Sequence, residues 1–119
     1  DCVAHSALSG STVKDLSLEK IAAALQYETS DLFNDAERAA LRVAQAAAQV
    51  PNAVTDADFE ELRNHYSDRQ IIEIVAVICV YGFLNRWNDT LATTLEPEPL
   101  ALADEILAPT GWEVGKHAG

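Results

Sequence analysis

Cys2 and His5 stand three residues apart near the start of the chain. On a helix that spacing puts both side chains on one face, one turn apart. A cysteine in a first helical turn, with an imidazole beside it, is biased toward the thiolate by the helix dipole and by the neighbouring base. The thiolate attacks peroxides and disulfides, and an imidazole titrates near neutrality and can take up the proton. The plain alternative is a surface histidine beside an ordinary cysteine. Glu73 is the other residue of interest, because it interrupts the apolar run from Ile71 to Leu84. Buried, it would need a partner or a proton, as in a proton relay or a subunit interface. On an exposed first turn it would simply complement a helix N-terminus.

Helix signals dominate the segments that must position these groups. Residues 1–9 read as a helical end closed by Gly10 at a left-handed position. Ser17 can cap a helix running through Tyr27, and Asn34 with Glu37 forms a capping-box pattern. The next helix carries Ala36, Ala40, Val43 and Ala47 on one side, and Arg38, Arg42, Gln45 and Gln49 on another. Val50-Pro51-Asn52 stops it. Thr55 caps a short helix whose inner face is Phe59, Leu62 and Tyr66. Ser67 with Gln70 opens a helix over about 67–90 that is apolar around most of its circumference, which predicts burial on all sides. Within it, Cys79 reads as a buried small hydrophobe and Gly82 as a close helix crossing. The Asn85–Asp89 cluster brings the helix to the surface and reads as a structural, hydrogen-bonded subunit contact or as the lining of a pocket. Glu96-Pro97-Glu98-Pro99 breaks the chain before a short helix at about 100–107. In the aperiodic tail, Trp112 and His117 read as docking groups rather than metal ligands. Strand patterning, repeats and linkers are absent, so the expectation is one all-α domain over 1–119.

Composition narrows the function. The 119 residues carry a formal charge of −11 and are 49% hydrophobic. A surplus of acid disfavours nucleic acid and anionic membrane surfaces. The run Ile71–Leu84 is short for a bilayer span. With no signal-like start, the expectation is a cytoplasmic protein. There is no methionine, which predicts that the natural protein extends upstream of Asp1. Two cysteines do not make a disulfide framework, and a Cys2–Cys79 bridge is not expected. No His/Cys/Glu spacing suits a metal, Gly115-Lys116 lacks a preceding glycine loop, and there is no G-x-S-x-G elbow.

Taken together, Cys2-Val3-Ala4-His5-Ser6-Ala7, Leu32-Phe33-Asn34-Asp35-Ala36-Glu37-Arg38-Ala39-Ala40-Leu41, Asp56-Ala57-Asp58-Phe59, Gln70-Ile71-Ile72-Glu73 and Asn85-Arg86-Trp87-Asn88-Asp89 resemble the carboxymuconolactone decarboxylase and alkylhydroperoxidase D superfamily in order and spacing. The resemblance runs from about Cys2 to Leu95. It implies an alkylhydroperoxidase D-like helical bundle with a buried central helix at about 67–90, assembled as a homo-oligomer (dimer, trimer or hexamer). It further implies a thiol-dependent peroxidase that reduces a small hydroperoxide at Cys2 with His5 in the proton relay and Glu73 as a further candidate. An external thiol reductant would regenerate it, with no bound cofactor and no metal. The family's first cysteine would lie three residues before Cys2, and its relay glutamate also upstream, both outside this sequence. Two other readings stay open: a decarboxylase or related ring-chemistry enzyme on the same fold, and a non-catalytic helical binding protein.

Overall fold

The computed structural model describes residues 10, 12–14 and 16–119. Among these, five α-helices and three short 3₁₀ turns form the structure, with no strand. The helices are α1 (Leu18–Ala22), α2 (Asp35–Ala47), α3 (Asp56–His65), α4 (Asp68–Leu91) and α5 (Pro97–Ile106). The chain divides into two compact units. One spans Gln26–Gly82, and the other holds the residues up to Leu25 together with Phe83–Gly119.

The Gln26–Gly82 unit is set by its helix caps. Asn34 accepts from the Glu37 amide at 2.8 Å, and the Glu37 carboxylate accepts from the Asn34 amide at 2.9 Å. Thr55 and Asp58 form a second reciprocal box at the start of α3. Ser67 and Gln70 form a third, with bonds of 2.9 and 3.2 Å, ahead of α4. Each box satisfies two amides that the helix itself leaves without a partner. The core is Ala39 and Val43 of α2, Leu62 of α3 and Ile71 of α4, with Phe59, Tyr66 and Ile78 packed against it. Leu62 is fully buried. The buried face of α2 therefore holds Val43 of the expected stripe, with Ala40 packed against the core, and adds Ala39 to it.

In the other unit Ser17 caps α1, accepting from the Lys20 amide at 3.1 Å. The helix tightens to 3₁₀ over Ala23–Gln26 instead of continuing to Tyr27. Gly10 is helical and is not among the left-handed glycines, so it is not the left-handed C′ residue expected, and the helical end expected over residues 1–9 lies outside the described residues. The Pro97 and Pro99 pair begins α5 rather than preceding it, because first-turn amides have no intrahelical acceptor to lose. Leu95, Ala103 and Leu107 form the core, covered by Ile21, Leu100, Ile106, Trp112 and Val114. The tail thus docks on its own unit, with His117 buried.

The central helix lies where expected, but its burial needs correction. Ile71 is its only buried residue. Ile72, Val80, Phe83, Trp87 and Leu91, which share one face by helical spacing, are 68, 56, 63, 56 and 58% exposed. Burial all round would take a partner on every side, and among the described residues the apolar packing of α4 is on its Ile71–Ile78 face. Among the described residues α4 is also the one helix long and apolar enough to cross a membrane by length and composition. The apolar run does not end at Leu84, since Trp87 and Leu91 extend it.

Candidate functional site

Cys2 and His5 lie outside the described residues, so the expected pair is a sequence feature. Glu73 is described. It sits in the second turn of α4, exposed, and accepts from Arg69 Nε at 3.2 Å one turn back. Within the chain it has the solvent-facing geometry of a helix-surface ion pair, not that of a buried relay carboxylate.

Among the described residues the buried carboxylate is Asp58, 6% exposed. Its Oδ1 accepts from Arg42 Nε at 2.8 Å. Its Oδ2 accepts from the Thr55 amide at 2.8 Å and the Thr55 hydroxyl at 2.9 Å. The Arg42 hydrogen bond, followed by the two Thr55 bonds, holds the Asp58 carboxyl below the usual carboxylate range. Tyr27 stands on the same side of α2, with its hydroxyl donating to Gln45 Oε1 at 2.8 Å and within 3.3 Å of Glu28 Oε1. Burial, and then the charge of Glu28, push the Tyr27 phenol up. Arg38 is tied to the Tyr27 and Ser30 carbonyls at 3.2 and 2.8 Å. The polar stripe of α2, expected at the surface, therefore anchors the segment before α2 and the start of α3. With every oxygen of Asp58 engaged, this network holds position and offers no free base. The signal for it was present in Thr55-x-x-Asp58, a second capping-box pattern.

Cys79 is a free, exposed thiol, against the expectation of burial. It borders an apolar cleft of about 420 Å³ between α2, the Asn52–Val54 segment, α3 and α4. Val43, Val54, Phe59 and Ile78 wall it, and Gly82 lies at its edge. No charged group lines it. The Asn52 side chain there accepts from the Val54 amide at 3.0 Å. A Cβ on Gly82 would meet nothing within 4 Å among the described residues, so no described helix crosses there. A mid-helix glycine costs roughly 1 kcal/mol relative to alanine, and no contact among the described residues offsets it.

In the other unit Asp89, from the polar cluster of α4, accepts from Lys116 Nζ at 2.9 Å and faces His117 Nε2 at 3.7 Å. Lys116 holds the Asp89 carboxyl below its ordinary range. His117 Nδ1 lies 2.7 Å from the Thr93 carbonyl, which fixes the proton on that nitrogen. These contacts latch the tail. No group of three or more His, Cys, Asp or Glu residues among those described is arranged to hold a metal.

No family model matches the chain. It is 33% identical over 75 residues, 63% of its length, to the uncharacterized protein YnjA of Escherichia coli (strain K12), and covers 41% of that protein. Two crystal structures of the debrominase Bmp8 superpose over 88% of the chain and 62% of theirs. One is of a cysteine-to-alanine variant in complex with 2,3,4-tribromopyrrole (TM-score 0.74, 36% identity), and one is of the apo protein (0.72, 35%). Bmp8 has the carboxymuconolactone decarboxylase/alkylhydroperoxidase D-like fold. The fold of this chain is all-α and alkylhydroperoxidase D-like. The chain spans less than two thirds of the length of each of these proteins.

Proposed function

We propose that this chain belongs to the carboxymuconolactone decarboxylase/alkylhydroperoxidase D-like family and carries a thiol site that acts on a small aromatic ring, the class being reductive removal of a ring halogen. The observation that carries this reading is the 36% identity, over 88% of the chain, to a debrominase crystallised with a brominated pyrrole. It favours ring chemistry over the peroxidase that the sequence resemblance implies.

Replacing C–Br by C–H adds two electrons and one proton to the ring carbon and releases bromide. Two thiols supply this, since R–Br plus two R′SH gives R–H, R′S–SR′, a proton and bromide. Cys2 is the residue we assign to the thiolate, with His5 as the group that holds and returns its proton. The second thiol is either another cysteine or an external thiol reductant. Hydroperoxide reduction consumes the same two thiols and yields alcohol and water. Cys2-x-x-His5 supports it equally, so it stands as the second reading.

A homo-oligomer, whether dimer, trimer or hexamer, is part of the proposal. The exposed Phe83, Trp87 and Leu91 on α4 support it, because a contiguous apolar stripe on a soluble acidic chain calls for a partner. The test is bromide release from 2,3,4-tribromopyrrole with excess dithiol. Release that Cys2→Ser abolishes supports the proposal. Absent release alongside Cys2-dependent reduction of an alkyl hydroperoxide would assign the peroxidase reading instead.

A further inference from the structure

We propose that the cleft bordered by Cys79 and Gly82 is a binding site for a small, uncharged aromatic ring. Its volume, about 420 Å³, falls at the lower end of the range of small-molecule pockets, about 300–1,000 Å³. That size matches a one-ring compound rather than a cofactor. The floor and walls are aliphatic and aromatic, from Val43, Val54, Phe59 and Ile78. The absence of any charged lining group in a chain of net charge −11 selects a neutral occupant, since a carboxylate ring would lose its hydration with no cation to pair. The thiol of Cys79 is the one soft, polarisable group at the mouth, suited to contact a ring face or a bulky halogen. Gly82 supplies the remaining observation. A Cβ there would meet none of the described residues within 4 Å, so the cleft is open on that side.

The choice of a halogenated ring as occupant rests on the function proposed above, whereas the preference for a neutral ring rests on the cleft alone. Cys79 is a contact residue in this proposal and undergoes no reaction.

The test uses residues 1–119 carrying Cys2→Ser, a polypeptide whose one thiol is Cys79. Its rate of alkylation by N-ethylmaleimide is read by mass spectrometry with and without 2,3,4-tribromopyrrole. Ring at roughly ten times its dissociation constant should slow alkylation about tenfold by occupancy, while benzoate should not slow it. Gly82→Leu fills the open edge and Ala47→Leu the opposite wall. Each should abolish protection while leaving the circular dichroism spectrum unchanged, and two variants guard against one failing to fold. Three results would overturn the proposal: no slowing by the ring, equal slowing by benzoate, or slowing that depends on protein concentration alone. The last would assign the cleft to a second copy of the chain. Protection without bromide release by the wild type would refute the proposed function and leave the cleft assigned. Bromide release without protection would refute the cleft and leave the function.

Discussion

Removing the Asp58 carboxylate should destabilise the Gln26–Gly82 unit in a pH-dependent way. The Asp58→Ala variant loses the hydrogen bonds from Arg42 Nε, the Thr55 amide and the Thr55 hydroxyl. It keeps the bond from its own amide to the Thr55 hydroxyl. The Arg42 side chain is 64% exposed and regains water, so its share is small. The Thr55 amide, in a part-buried bond, loses its acceptor, and the helix loses half its capping box. Together these cost roughly 2–3 kcal/mol. The sign with pH follows from the direction of the shift. The folded carboxyl titrates below its unfolded value, so its contribution is complete above the unfolded pKa, about 3.9. It is lost as pH falls through the folded pKa. Urea unfolding of the wild type and the variant at neutral pH should therefore show the full difference. The same comparison in acid, as far as the fold persists, should show the difference shrinking. A variant as stable as the wild type at neutral pH, or a difference that grows in acid, would refute the role given to Asp58.

Three further outcomes follow from the geometry. His117→Ala should free the tail by removing the 2.7 Å bond to the Thr93 carbonyl, at a cost of about 1–3 kcal/mol. The check is faster hydrogen exchange at the Leu95 amide, which donates to the His117 carbonyl at 2.9 Å. Trp87→Glu places a charge on the exposed apolar stripe of α4. It should lower the assembly state in sedimentation velocity while leaving the far-ultraviolet circular dichroism intact, since Trp87 is 56% exposed in the protomer. Gly82→Leu should close the Cys79 cleft to the ring with helix content retained.

The helices were largely legible because their starts are written locally. Asn34 with Glu37, Ser17, Thr55 and Ser67 with Gln70 all cap where the pattern places them, and these signals need only a few consecutive residues. Long-range placement was less legible. Apolar residues around much of α4 say that it seeks burial but not which partner supplies it, so Cys79 read as buried when the described residues leave it exposed. Arg42 and Asp58 each resemble ordinary surface charges, and only the packing of α2 on α3 joins them at 2.8 Å. Glu73 carried two readings because a carboxylate near a helix start is compatible with either. Arg69, one turn before it, is what settles its surroundings in the protomer. The resemblance found the fold and left ring chemistry open as an alternative, and the preference proposed above for it over peroxide reduction rests on the likeness to the debrominase.

The central claim, that Cys2 supplies electrons to a halogenated ring, is tested most directly by bromide release. The full chain is incubated with 2,3,4-tribromopyrrole and excess dithiol, and free bromide is followed by ion chromatography. The expected result is catalytic release, lost in Cys2→Ser, retained in Cys79→Ser and reduced in His5→Gln. Release that is absent in the wild type, or unchanged by Cys2→Ser, would contradict it.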